Sequence, residues 1–133
     1  MRAFFATTLT FLIVGLLSCS SYASDYRNLV AQIRNKHIIW DANPGGLFVR
    51  ELGKPEKKIL TLGTSCRPFL IEALSDRSRY VAAHILLIKM QPGGYFEGSS
   101  SEWNHLRIDL YGDGRVVISN GQQPKIRRLW VHP

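Results

Sequence analysis

Cysteine is scarce: the 133-residue chain contains only Cys19 and Cys66. Two cysteines cannot supply the disulfide framework of a small stapled domain. The four histidines, His37, His84, His105 and His132, include no i,i+4 pair and no H-E-x-x-H, and no second cysteine flanks any of them. That spacing calls for no metal site, since zinc motifs gather ligands at short fixed intervals. No Gly-rich stretch matches a phosphate-binding loop, so the sequence calls for no nucleotide cofactor either. Beyond the N-terminus no apolar run reaches 18 residues, which leaves no second membrane span to expect. Acidic residues are also in deficit, 10 against 17 Lys and Arg. The resulting +7 is scattered, with Lys54, Lys57 and Lys58 in one place and Lys125, Arg127 and Arg128 in another. No basic run is interleaved with aromatics, so a nucleic-acid groove is not indicated. A solvated face, or attraction to an anionic envelope surface, accounts for the charge.

The N-terminus reads as an export signal. Met1 and Arg2 give a positive start, and Ala3 to Leu17 form an uncharged apolar run. That length is short for a membrane-spanning helix and suits a secretory core. Ser21-Tyr22-Ala23 places small residues at −3 and −1, so cleavage is expected before Ser24. Segment 1–23 is then a signal peptide and 24–133 a single domain in the periplasm or cell envelope. Leu16-Leu17-Ser18-Cys19 offers a second reading as a lipobox, with Cys19 acylated and the domain tied to the membrane by lipid alone. Either cut leaves Cys66 without an internal disulfide partner.

The 110 residues that follow Ala23 suit one compact fold. Ser24 is expected to cap a helix with Tyr26, Leu29, Val30 and Ile33 on one face and Arg34, Lys36 and His37 in its last turn. Ile38-Ile39-Trp40 reads as a strand or a packed connection, and Asn43-Pro44-Gly45-Gly46 as a turn. Pro55 opens a helix that ends at Gly63, and Thr64 or Ser65 is expected to cap the next. From Arg79 to Met90 the chain is apolar on most sides, the mark of the most buried helix. The period then changes. Leu106, Ile108 and Leu110 alternate with Arg107, Asp109 and Tyr111, and Gly112-Asp113-Gly114 turns into Val116-Val117-Ile118. Pro124 opens a short last helix. The expected fold is α+β: helices first, then a small antiparallel hairpin and a C-terminal helix.

Leu62-Gly63, Pro68 with Phe69 and Leu70, Leu74, Asp76, Val81 and Ala83 together resemble one HEAT-type repeat. In that family Leu-Gly ends one helix, Pro opens the next, and an Asp turn precedes a Val of the second helix. Ala82 stands where the family usually has Arg. No second copy follows at a 35–47 residue offset, so the expectation is one HEAT-like helical hairpin and not a solenoid. The resemblance implies a surface that contacts protein.

Four sets of residues can carry function. Cys66, beside Arg67 at a helix start, is either a packed core thiol or a nucleophile with a lowered pKa. Glu102, His105 and Asp109 at the loop-to-hairpin edge define a competing reading as a small hydrolase. His84 sits on the Val81, Ile85, Ile88 face and is expected to be a core histidine bonded to backbone. Lys57, Lys58, Arg67 and Glu72 lie on the outer faces of the helices at 55–62 and 66–74 and form the expected contact surface for an acidic envelope protein. The function expected from the sequence is a non-enzymatic interaction or structural module.

Overall fold

The computed structural model describes residues 21–93, 99 and 101–132. Most of the expected signal segment, including Cys19 and the lipobox, lies outside the described residues. No described helix is long and apolar enough to cross a membrane.

Helix α1 covers 21–30, so Ser24 lies inside it and does not act as a cap. In the uncleaved chain residues 21–23 precede it within the helix, so Ser24 is not at a helix terminus where a cap acts. The helix also stops before the expected basic turn. Gln32 and Ile33 donate to the Leu29 and Val30 carbonyls, which tightens the chain out of α-geometry. The next backbone N–H groups then take tertiary partners: Arg34 donates to the Glu56 carboxylate and Asn35 to the Ser78 carbonyl. Ile33 is fully buried as expected, but from a turn. Lys36 and His37 fall in a short 3₁₀ segment, Asn35–His37.

Ile39–Asn43 (β1) and Gly46–Glu51 (β2) pair as an antiparallel hairpin around a Pro44-Gly45 turn. Helix α2, Lys54–Leu62, starts at Pro55 as its second residue and ends at Gly63. Gly63 takes φ +73° and ψ −146°, a positive-φ conformation that glycine adopts without a Cβ clash. Residues Gly63–Cys66 continue as a 3₁₀ turn into α3, Arg67–Ala73, and neither Thr64 nor Ser65 supplies a side-chain cap. Helix α4, Tyr80–Met90, is buried from Tyr80 through Ile88. Its first N–H groups are satisfied from a distance: Asn35 Oδ1 accepts from Val81 and Ala82 at 3.0 and 3.3 Å. The same Asn35 donates its amide to Arg77 at 2.8 Å, so one side chain clamps the α3–α4 turn.

The second half carries two more two-stranded pieces. Glu102–Trp103 (β3) pairs with Leu106–Arg107 (β4), and Asp109–Leu110 (β5) pairs with Val116–Val117 (β6). The alternating run therefore splits between two partners, while Leu106 and Ile108 remain inward and Arg107 and Asp109 outward. Helix α5, Gln123–Val131, buries Ile126 and Trp130. The fold is α+β, with α4 at the centre and α2, α3 and α5 packed on it. Three cross-links close the shell. The Tyr80 hydroxyl donates to Ser119, Gln123 donates to the Leu74 carbonyl, and Gln122 exchanges two bonds with the Arg107 backbone in the manner of a strand neighbour.

Candidate functional site

Where α4, α5 and the start of α3 meet the β3–β4 turn, the surface opens into a cavity of about 260 Å³. Ile88, Leu129 and Trp130 supply its apolar lining, and Arg67, Gln91 and His105 its polar groups. His84 is its fully buried member. Each position follows from local structure. Trp130 and Ile126 share the inward stripe of α5, one turn apart, which leaves Leu129 at the edge and 37% exposed. Arg67, the first residue of α3, lays its guanidinium 5.4 Å from the Trp130 ring centroid.

His84 organises this region. Its Nε2 lies 2.8 Å from the Asn104 carbonyl, and its Nδ1 accepts from the Trp130 indole at 2.9 Å. An indole N–H can only donate and a carbonyl can only accept, so the ring is the neutral Nε2–H tautomer. Burial drives its pKa down to about 4, a nearby His105 charge adds to that, and the Asn104 carbonyl opposes it. Trp103 and Trp130 stand edge-on to the imidazole, and Trp40 stands edge-on to Trp103. Tryptophans from β3 and α5 thus meet at one histidine, and a third, from β1, packs on the first of them. His84 is a core histidine bonded to backbone, as its sequence context predicts.

The two residues of the β3–β4 turn, Asn104 and His105, have φ of 44° and 72°. A two-residue hairpin of this hand needs positive φ at both central positions, which Asn and His tolerate better than most side chains. The His84 bond to the Asn104 carbonyl holds the turn from inside. His105 is left exposed at the cavity.

The remaining expected site residues separate. Among the described residues no hydrogen bond or ion pair joins His105 to Glu102 or Asp109. Glu102 sits opposite Arg107 across the β3–β4 pair, and Asp109 faces the same Arg107 at 3.9 Å. Cys66 is fully buried, and desolvation raises its thiol pKa instead of lowering it. The alternative of a thiol activated by Arg67 finds no support, because burial penalises the thiolate and the Arg67 guanidinium lies by the Trp130 ring. Of the contact set, Lys57 lies 3.5 Å from Glu51, and Glu72 is bound by Arg27 at 3.1 Å. Among the described residues Lys58 and Arg67 have no carboxylate partner. No group of three metal-ligating side chains occurs among the described residues.

Glu56 is a polar position that the sequence does not flag. It is fully buried on the inner face of α2, where its Oε1 accepts from the Arg34 N–H at 3.0 Å and meets His37 Nδ1 at 2.9 Å. Its position three residues after Gly53, the residue preceding α2, was the available signal, because a carboxylate there can turn back over a helix start. Here it reaches across to the α1–β1 connection. Comparison of the chain with known protein families, curated proteins and solved structures finds no match.

Proposed function

We propose that this chain is a small exported protein of the cell envelope that works by contact with an acidic protein partner and not by catalysis. The N-terminal sequence supports export, with release before Ser24 and the Cys19 lipobox as the competing cut. The α3–α4 pair, turned at Asp76, supports the HEAT-like hairpin and the contact role that the resemblance implies. The observation that carries the reading is the pair of cations on α2 and α3, Lys58 and Arg67, without carboxylate partners among the described residues. The Lys57–Glu51 pair beside them is exposed and worth only about 0–1 kcal/mol, so a partner's carboxylate can take Lys57 over.

The test is charge reversal at Lys57 and Lys58, followed by crosslinking and pull-down from envelope fractions. The wild-type bait is expected to recover an acidic protein that the doubly reversed, folded variant loses. Intact mass of the bait should correspond to a chain beginning at Ser24. An unchanged partner set, or a cytosolic product beginning at Met1, defeats the proposal. So does loss of a hydrolytic activity in His105→Ala.

A further inference from the structure

We propose that the cavity between α4, α5 and the β3–β4 turn is a binding site for a small carboxylate carried on an apolar stem, with Arg67 as its anchor. It shares only Arg67 with the partner surface above; Lys57 and Lys58 take no part in it.

Three features select this ligand class. The first is charge. Arg67 is half-buried, and among the described residues it has no carboxylate partner and no Asp or Glu lines the cavity. A cation–π contact with Trp130 holds the guanidinium 5.4 Å from the ring centroid, and the N–H fork of an arginine can make a two-pronged bond to a carboxylate. His105 and Gln91 add polar groups at the same opening. His84 contributes none, because both of its ring nitrogens are already engaged. The second feature is the apolar lining. Ile88, Leu129 and Trp130 offer nothing to an inorganic anion, and a purely apolar occupant would desolvate Arg67 without a partner. A carboxylate on a branched hydrocarbon stem satisfies both halves. The third is size. At about 260 Å³ the cavity is smaller than the roughly 300–1,000 Å³ of drug-sized pockets, which restricts the occupant to the scale of one residue. Such a group occurs at the free C-terminus of a peptide ending in an aliphatic residue, and in a free branched-chain acid.

The probe is N-acetyl-leucine, titrated into the isotopically labelled protein while the Trp130 indole N–H resonance is followed and assigned by Trp130→Phe. A saturable shift is expected. N-acetyl-leucinamide should bind about tenfold or more weakly, because it lacks the charge that Arg67 recognises. Arg67→Gln should bring the acid down to the level of the amide. Leu129→Glu changes an exposed position, and should abolish binding of the acid by placing a like charge at the site while the circular dichroism spectrum stays that of wild type. A hexapeptide ending in free leucine separates the two sources: binding equal to N-acetyl-leucine assigns a chain terminus, and binding of 4-methylpentanoate alone assigns a free acid. No saturable shift, equal binding of acid and amide, or undiminished binding in Arg67→Gln would overturn the proposal. The Lys57→Glu, Lys58→Glu protein should bind the acid as wild type does, so the two proposals fail independently.

Discussion

Lowering the pH from 7 to 4 should destabilise this fold through one residue, His84. In the folded chain its pKa is depressed from 6.5 to about 4, chiefly by burial. The unfolded chain therefore binds a proton between those values that the folded chain refuses. The sign follows from linkage: stability from the neutral ring is complete above pH 6.5 and is lost as pH falls toward 4. At about 1.4 kcal/mol per pH unit the loss reaches about 3 kcal/mol, a large part of a typical domain's stability. Protonation would also place an Nδ1–H against the Trp130 indole N–H, where a 2.9 Å hydrogen bond now stands. Asp76 and Asp113, whose carboxyls are held below their usual range, begin to lose their contribution only as pH nears 3.8, so they touch the acid end of this window and not its centre.

The assay is urea unfolding at half-unit pH steps, monitored by circular dichroism, for wild type and His84→Gln. The variant is expected to be less stable at pH 7, having lost a fitted ring and at least one of two bonds. Its stability should nevertheless change less between pH 6.5 and 4, and that difference in slope isolates the histidine. Equal slopes in the two proteins would refute the argument. So would a His84 ring resonance that titrates in the native protein with a midpoint above 6.

Two other perturbations test the packing. Gly53→Ala is compatible with the local φ of −66°, yet its new methyl would overlap Glu56 Oε2 and come within 2.8 Å of His37 Cβ; chemical denaturation should show a loss of about 1–3 kcal/mol, and an unchanged midpoint would mean that the buried carboxylate has room to move. Cys66 should resist thiol reagents in the native state and react on unfolding, and Cys66→Ala should cost about 1–2 kcal/mol by loss of packing; rapid native labelling at neutral pH would contradict its burial.

The parts of this fold legible in sequence are those fixed by near neighbours. Pro55 and Gly63 bracket α2, Gly112-Asp113-Gly114 turns β5 into β6, and the unbroken apolar character of 80–88 marks the central helix. Each rests on a backbone rule that acts within a few residues. The end of α1 was not legible, although its periodicity was sound. Ile33 occupies the expected face, but Glu56 and Ser78 claim the backbone N–H groups of Arg34 and Asn35. Those acceptors lie more than twenty residues away in sequence, and no local pattern announces them. Asn35 is the same case reversed, a short polar side chain in a basic stretch that serves as the remote cap of α4.

The candidate site shows why its chemistry was harder to read than its elements. Sequence reasoning placed Arg67 with the partner surface, His105 with a carboxylate pair and His84 in the core, as three separate matters. The fold joins them through one chain of contacts. Trp130 donates to His84, His84 is bound to the Asn104 carbonyl, and that carbonyl belongs to the left-handed turn that carries His105. The other face of the same tryptophan environment holds Arg67. A buried neutral imidazole thus links α5 to the β3–β4 turn, and Arg67 and His105 at the cavity are positioned by what it holds. Conformational cost points the same way. Two consecutive non-glycine residues at positive φ cost about 1–2 kcal/mol each when unsupported, and persist where surrounding structure over-determines them. Here the support is a hydrogen bond from the most deeply buried polar group beneath the turn. The geometry of the opening is therefore a property of the core, and anything that unseats His84 acts on the cavity as well as on the fold.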